Sequence, residues 1–457
     1  MARGSVGLVA THLSYTVPGS FRAGFGAADP RSSEAFIPAR MRAHIHHTPR
    51  RAMMRKRTLS RMTALSLVLV VGLVAAACSS SSTSSTTSTS AAATPSTLKA
   101  TSFTSDFAVM SSLKGLASEG HGMIGALLPD TASSARYVSF DAPYLTKAFQ
   151  TAGLSSSEFK VDNAQGSDST QLTQAQADIT AGATVLLLDG LDSGVGSAIE
   201  SYAKSHGVKV IDYDRVSLGG SRDYYVSFDN VVVGKLIGQG AVNCISSWNV
   251  SSPKVFELDG SPTDNNATLF AQGYNSVLAS KYHAGTYTKV GEQAVPNWDN
   301  QQALTIFQQQ YTAHPDINVV VSANDGLGNS VISALKTANI PAKKVPVTGQ
   351  DATLQGMQNV LAGYQCGSVY KPIYLEAQAA VSLALYLRAG KIPPVGLVNG
   401  TVRDTVGNTN VPSVLLTPEW VTTLNMNNTV VKDGFISPSQ LCAGSYASAC
   451  TQAGITP

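Results

Sequence analysis

Residues 183–215 read ATVLLLDGLDSGVGSAIESYAKSHGVKVIDYDR. The stretch begins with an apolar run, Ala183–Leu188, passes through a turn into an amphipathic segment, Gly196–Ser205, and ends in a second apolar run, Val208–Tyr213. Continuous apolar runs on either side of a helical pattern are typical of parallel strands that are buried on both faces. The stretch therefore predicts a strand–helix–strand unit with the right-handed crossover that such units adopt.

The same alternation recurs along the chain after residue 120. Further apolar runs are found at Gly122–Leu128, Lys254–Leu258, Ile317–Ser322 and Val345–Thr348. Further amphipathic segments are Pro143–Ala152, Gln171–Ala181, Val232–Cys244, Ala267–Ala279, Gln301–Ala313, Gly328–Ala338 and Ile373–Ala389. About ten strands exceed what one ordinary sheet holds, so we expect an α/β fold with two doubly wound, Rossmann-like lobes.

Polar residues follow nearly every apolar run, at the edge of a parallel sheet where ligands bind. These positions are Pro129-Asp130, Asp189-Gly190, Asp212–Arg215, Asp259–Asn266, Asn324-Asp325 and Gly349–Asp351. Aspartate and asparagine also cap helices, so each of them can serve as a cap, a ligand contact or both. Carboxylates, amides and guanidinium groups side by side suit an uncharged polyol, because its hydroxyls both donate and accept hydrogen bonds.

No motif singles out another chemistry. The histidines after residue 77 are scattered and lack the spacing of metal ligands; they are His121, His206, His283 and His314. Gly194 and Gly196 lack the third glycine of a dinucleotide-binding loop, and no serine-hydrolase elbow is present. We therefore expect no metal and no cofactor, and an aspartate-rich cleft leaves a glycosidase carboxylate pair open.

The charge of the chain is unevenly distributed. Residues 1–77 hold 11 Lys and Arg against 2 Asp and Glu, whereas residues 78–457 hold 21 against 27. The acidic character of the longer part argues against a nucleic-acid partner. The basic segment Met54–Arg57 and the apolar run Met62–Ala77 form the pattern of a secretory signal peptide, which we place at residues 53–77.

The apolar run ends in the letters AAAC at residues 75–78, which resemble a bacterial lipobox with Ala75 in place of the usual leucine. The resemblance implies a lipid on Cys78 and an exported protein anchored on the outer face of the cell membrane; a plainly cleaved signal is the alternative. Residues 79–97 contain 15 Ser and Thr among 19. Such a composition stays flexible, so we expect a lipid-anchored linker over residues 78–118.

A further segment precedes the predicted signal peptide. It is rich in arginine, is punctuated by glycine and proline, and has no clean periodicity. Because a signal peptide belongs at the N-terminus, we expect residues 1–52 to be a mis-assigned or disordered extension, with translation starting at Met41, Met53 or Met54.

Four cysteines follow the lipobox, at Cys244, Cys366, Cys442 and Cys450. An even number in an exported protein suggests disulfides. Cys442 and Cys450 are close enough in the chain to pair locally, which leaves Cys244 with Cys366. Three connectivities are possible in principle, and free thiols are the alternative.

Several motifs, in order, resemble the periplasmic sugar-binding proteins of ABC importers, most closely their D-xylose-binding branch in an actinobacterial lipoprotein form. They are Ile211–Arg215, Tyr225–Asn230, Asp259–Ala267, Gly349–Ala352, Ser368–Ile373 and Leu415–Pro418. The resemblance covers roughly residues 120–420. It implies the type I periplasmic binding protein fold, in which two lobes are joined by a three-strand hinge, here near Phe228–Val231, Tyr370–Ile373 and residues 395–402.

The resemblance also implies a division of the chain. The N-terminal lobe is expected at residues 119–229 and 372–398, the C-terminal lobe at 230–371 and 399–425, and a tail at 426–457. The implied partners are a monosaccharide, which is bound between the lobes without catalysis, and an ABC permease with its cytoplasmic ATPase; we expect a monomer. A sugar sensor that serves a membrane receptor kinase and a secreted glycosidase are the alternatives.

The family's sugar contacts transfer onto nine positions of this chain. They are Arg136, Tyr137, Arg215, Asp264, Asn266, Trp298, Asn324, Asp351 and Lys371. The three cations are expected to donate hydrogen bonds, the two aspartates to accept them and the two asparagines to do both. The two aromatic rings are expected to pack on the faces of the sugar.

Overall fold

The computed structural model describes residues 97–456. The predicted extension over residues 1–52, the signal peptide over 53–77 and the lipid site at Cys78 lie outside the described residues. Among the helices that are described, none has the length and hydropathy needed to span a membrane.

Strands and helices alternate through most of the described chain. The strands are β1 (Met123–Leu128), β2 (Phe159–Asn163), β3 (Ala183–Leu188), β4 (Lys209–Tyr213), β5 (Tyr224–Phe228), β6 (Lys254–Asp259), β7 (Thr288–Ala294), β8 (Val319–Ser322), β9 (Ser368–Tyr370), β10 (Gly400–Asp404), β11 (Thr409–Leu416) and β12 (Glu419–Val421). The helices are α1 (Ala108–Ser111), α2 (Lys114–Glu119), α3 (Ala142–Thr151), α4 (Asp168–Thr180), α5 (Ser193–Ser205), α6 (Asn230–Ser247), α7 (Asn265–His283), α8 (Asn300–Ala313), α9 (Asp325–Thr337), α10 (Leu354–Leu361), α11 (Ile373–Arg388), α12 (Pro438–Leu441) and α13 (Ala447–Gln452). The predicted α/β fold is confirmed.

The first sheet has seven strands in the order β10-β11-β5-β4-β3-β1-β2. All neighbours pair in parallel except β10 and β11, which form an antiparallel pair. Helices α3 and α11 pack together, and α11 also packs on β3, β4 and β5, whereas α4 packs on α5 and on β1. We call this sheet with α1–α5 and α11 the first lobe.

The second sheet consists of a three-stranded part and a two-stranded part, which isolated bridges connect. Strands β7, β6 and β8 pair in parallel. Parallel bridges then lead from Val320 to Val347 and from Gln350 to Val369 in β9, which pairs antiparallel with β12. Helices α6 and α7 pack on each other, and α8, α9 and α10 pack in sequence. We call this sheet with α6–α10 the second lobe.

Three connections join the lobes, and one of them differs from the prediction. The chain crosses from β5 to α6, from β9 to α11, and from β11 to β12 at Thr417-Pro418. The assignment of residues 399–425 to the C-terminal lobe is wrong for β10 and β11, because β11 pairs with β5 over Ser413–Leu416. The third hinge connection, expected near residues 395–402, lies instead at Thr417-Pro418, because β10 and β11 belong to the first lobe.

The linker prediction over residues 78–118 is wrong for its last part. Residues 97–118 contain α1 and most of α2, and their apolar side chains pack into the first lobe. Phe107, Met110 and Leu113 are fully buried. These apolar residues give the segment enough surface to bury, unlike the Ser/Thr-rich stretch before it.

Two disulfides are formed within the described residues. Cys244, near the end of α6, joins Cys366, which lies just before β9, with their Cα atoms 6.0 Å apart. Cys442 joins Cys450 across the short segment between α12 and α13, with a Cα separation of 5.7 Å. The first bond links positions 122 residues apart and the second links positions 8 residues apart.

Replacing each pair by serine should affect stability unequally. The loop-entropy account assigns about 5 kcal/mol to the long loop and about 3 kcal/mol to the short one. We therefore expect Cys244→Ser/Cys366→Ser to lower the free energy of unfolding more than Cys442→Ser/Cys450→Ser. Urea unfolding of both variants under oxidising conditions measures the difference. A smaller loss in the first variant would contradict the expectation.

Candidate functional site

Polar side chains converge where the strands of both lobes end. Asp214 and Arg215 follow β4 in the first lobe, whereas Asp264 follows β6 and Asn324 follows β8 in the second. Asp264 and Asn324 also cap helices: the Oδ1 atom of Asp264 accepts from the backbone N–H of Asn266 at 2.9 Å, and that of Asn324 accepts from Leu327 at 2.9 Å. Capping fixes these side chains at the sheet edge and leaves further lone pairs for a ligand.

One small cavity collects these side chains. It is lined by Ser133, Ser134, Arg136, Tyr137, Asp214, Arg215, Asp264, Asn266, Phe270, Trp298, Asn324, Gln350, Asp351 and Lys371. All nine residues that the sequence predicted are among them. The sequence analysis did not predict the other five. Asp214 and Gln350 belong to the strand-end segments Asp212–Arg215 and Gly349–Asp351, whereas Phe270 has the pattern of an ordinary core residue in α7.

Arg136 is held by three buried acidic side chains. Its Nε and Nη2 atoms donate to the two oxygens of Asp141 at 3.0 and 2.7 Å, Nη2 also donates to Glu376 at 2.8 Å, and Nη1 donates to Asp214 at 2.7 Å. Four of the five N–H groups of this guanidinium are thereby engaged. One Nη1 hydrogen remains for a ligand in the cavity.

Residues of the two lobes contact each other across the cavity. The Nε atom of Arg215 lies 3.2 Å from Oδ2 of Asp264. Ser134 Oγ donates to Oδ2 of Asp351 at 2.9 Å. Lys371, on the connection between β9 and α11, lies 3.2 Å from Oδ1 of Asp351. Polar pairs of this kind hold the lobes together around the cavity.

Two aromatic rings line the cavity among the charged groups. Tyr137 is close to both Arg136 and Arg215, whose guanidinium carbons are 5.4 and 5.5 Å from its ring centre. The indole of Trp298 donates from Nε1 to Oδ2 of Asp264 at 3.0 Å. It lies directly over Gly260, where an added Cβ would come within 2.0 Å of the ring. A glycine is therefore required beneath this indole.

Three lining residues have a left-handed backbone. The φ angles are 59° at Asp214, 54° at Trp298 and 95° at Asp351. Such conformations are rare for residues other than glycine, most of all for a bulky one such as tryptophan. Local strain of this kind, of order 1–3 kcal/mol per residue, is found where surrounding contacts over-determine a functional site.

The charges of the cavity shift the pKa values of the acids beside it. Burial disfavours ionisation of Asp214, but Arg136, Lys371 and Arg215 outweigh it and lower the pKa of this carboxyl to about 2. Burial raises the pKa of Glu376 to about 8 against the attraction of Arg136, with Asp214 and Asp141 adding to the rise. The site thus combines a firmly ionised carboxylate with an acid that is protonated at neutral pH.

The chain is similar to known binding proteins over most of its length. The sequence model of the family described as "Periplasmic binding protein domain" matches residues 124–392. The D-xylose-binding periplasmic protein of Escherichia coli (strain K12) is 37% identical over 283 residues, which are 62% of this chain and 82% of that protein. The multiple sugar-binding periplasmic receptor ChvE of Rhizobium radiobacter is 32% identical over 336 residues, which are 70% of this chain and 92% of that protein.

The fold is also similar to solved structures. An ABC transporter solute binding protein from Clostridium phytofermentans with bound β-D-glucose has a TM-score of 0.63 and 26% identity, covering 70% of this chain and 99% of that one. A carbohydrate transporter solute binding protein from Chloroflexus aurantiacus, in complex with D-glucose, has a TM-score of 0.61 and 26% identity, covering 69% and 97%.

Glu376→Gln should flatten the dependence of stability on pH. The folded pKa of about 8 exceeds the ordinary value of 4.5, so the contribution of Glu376 is complete below pH 4.5 and is lost as pH rises through about 8. Glutamine has no proton to lose, so the free energy of unfolding should fall less with pH in the variant. Urea unfolding between about pH 5 and pH 9 measures both slopes. Equal slopes would show that Glu376 is not protonated in the folded state.

Proposed function

The chain belongs to the periplasmic binding protein family, and on this basis we propose that it is the substrate-binding protein of an ABC sugar importer. It binds a monosaccharide between its two lobes and delivers it to a permease, and D-xylose is the first candidate for this sugar. The proposal rests chiefly on one observation: donors and acceptors from both lobes line a single cavity and largely compensate one another's charge.

An uncharged polyol suits this charge balance. Arg136, Arg215 and Lys371 are each within 4 Å of a buried carboxylate, so an additional charge on the ligand would lack a partner. Sugar hydroxyls accept from cations and donate to carboxylates, and thus fit between such pairs.

Gln350 offers a specific acceptor. Its Oε1 atom is buried and has no hydrogen-bond partner among residues 97–456, and its side chain lines the cavity. A buried acceptor without a partner costs about 1–3 kcal/mol. A sugar hydroxyl that donates to this oxygen would remove that penalty on binding.

Binding is coupled to lobe closure. A ligand that contacts Arg136 and Tyr137 in the first lobe and Trp298 and Asp351 in the second stabilises the state in which the lobes are together. The three connections between the lobes absorb the motion. A permease then distinguishes the loaded protein by its closed surface.

One observation favours a second role for the same site. The relative from Rhizobium radiobacter is named a receptor, which fits a sugar sensor that presents its closed form to a membrane kinase. Both roles require the same sugar complex. Genes for a permease and an ATPase next to the gene for this chain would favour import.

We further propose that the protein is a lipoprotein on the outer face of the cell membrane. The predicted signal at residues 53–77 ends in three alanines directly before Cys78, and a serine- and threonine-rich stretch follows this cysteine in the sequence.

Asp351→Ala and Arg215→Ala should each weaken sugar binding by about 10- to 150-fold. Each removes one member of a buried, charge-assisted contact, which is worth more than a surface hydrogen bond. Thermal shift with D-xylose, L-arabinose, D-ribose and D-glucose selects the ligand, and calorimetry then gives the affinities. Asp316→Ala, which alters an exposed carboxylate, is the control. Unchanged affinity in either site variant would remove that residue from the site.

Cys78→Ser should release the protein from the membrane fraction. Without the thiol no lipid can be attached, and a single folded chain without an anchor partitions into the aqueous phase. Labelling of the wild-type and variant proteins with radioactive palmitate, followed by fractionation, measures attachment. Label on the variant, or a wild-type protein without label, would contradict the lipid proposal.

A further inference from the structure

The C-terminal tail forms a strap, residues 426–456, that contacts segments adjoining the cavity residues. Phe435 is 5% exposed, and its ring stacks on that of Phe140 with a centroid distance of 3.7 Å and an interplanar angle of 15°. It also meets the ring of Tyr370 edge-on at 4.9 Å. One side chain of the strap thus contacts both the first lobe and the strand that leads out of the second.

A carboxylate next to this ring makes a second link. The Oδ2 atom of Asp433 accepts from the hydroxyl of Tyr370 at 3.1 Å and from that of Tyr374 at 3.0 Å. Tyr370 ends β9 and Tyr374 lies in the first turn of α11. Asp433 therefore joins the two ends of one inter-lobe connection.

The strap is itself fixed to the second lobe. Gln358 in α10 donates from Nε2 to the carbonyl of Gln440 at 3.2 Å. The disulfide between Cys442 and Cys450 closes the last turn of the strap, and Leu441 is fully buried. Phe435 and Asp433 thus belong to a segment that is attached to the second lobe, and each of them contacts both lobes.

Both contacts involve residues that are close in the chain to residues lining the cavity. Phe140 belongs to the π-helical turn Tyr137–Asp141, whose first residue lines the cavity and whose last residue holds Arg136. Tyr370 immediately precedes Lys371, which also lines the cavity. The strap therefore contacts two segments that carry cavity residues, one in the first lobe and one in the connection.

We propose that Phe435 and Asp433 are positioning residues for ligand binding: the strap holds the turn at residues 136–141 and the connection at Lys371 in the geometry that binds the sugar. The inference rests on the proposed function. A ring packed against both segments restricts their motion, and a preorganised site loses less entropy on binding. Loosening the strap should raise the dissociation rate of the sugar more than it changes the association rate.

Phe435→Leu and Asp433→Ala are the test variants. Each is expected to raise the dissociation constant for the sugar selected by the thermal-shift panel about five- to tenfold. Asp433→Asn should restore most of the affinity, because one amide oxygen can accept from both tyrosine hydroxyls. Ile455→Ala, a buried position at the far end of the same strap, is the matched control for stability loss.

Three measurements separate positioning from simple stability. Calorimetry gives the affinity, stopped-flow tryptophan fluorescence gives the two rates, and hydrogen exchange reports on the amides of residues 136–141 and 368–371 without sugar. We expect faster exchange at these amides in Phe435→Leu and Asp433→Ala but not in Ile455→Ala. The melting temperature of the sugar-free protein is recorded for every variant.

Each outcome has a definite meaning. Wild-type affinity in both test variants overturns the inference while leaving the proposed function in place, and so does an equal loss of affinity in Ile455→Ala. A wild-type protein that binds no sugar in the panel overturns the proposed function and, with it, this inference. Weaker binding in the test variants alone, with rescue by Asp433→Asn, supports the strap as part of the binding apparatus.

Discussion

Three cationic side chains lie buried in one cavity, and each must have a carboxylate close by because an isolated charge does not leave water without a large penalty. This requirement determines much of the structure around it. Asp141 and Asp214 pair with Arg136, Asp214 and Asp351 lie near Lys371, and Asp264 pairs with Arg215. Because these carboxylates come from separate elements and from both lobes, every cation has its partner only when the whole fold is formed.

The interior of both sheets could be predicted from the sequence because their strands are apolar on both faces. β3 and β4 are nearly fully buried and read as continuous apolar runs. The edge strands β2 and β7 were not predicted, because these half-exposed strands carry lysine, aspartate and glutamine and are not continuous apolar runs. The pairing of β11 with β5 is a contact between residues far apart in the chain, which no local pattern reveals.

The candidate site was predicted more completely than the lobe boundaries, for a related reason. Parallel strands bring their carboxyl ends to one edge, so residues next to apolar runs meet in space without any knowledge of loop paths. Asp264, Asn324 and Asp351 were recognisable in this way. Phe270 was not, because an apolar residue inside a helix gives the same signal whether it faces a cavity or the core. Ser133 and Ser134 lie in a loop, where spacing predicts little about direction.

The contact between Trp298 and Gly260 has a consequence for anyone who would alter the ligand preference. The indole occupies the space that any side chain at position 260 would need, and the backbone of Trp298 is in a left-handed conformation that suits few replacements. These two positions, 38 residues apart, therefore behave as one unit of variation. A mutagenesis library that randomises position 298 while keeping the glycine leaves a cavity beneath most smaller side chains. A library that randomises position 260 alone introduces a steric clash with the indole ring. New ligand specificities should therefore be sought among paired changes at both positions.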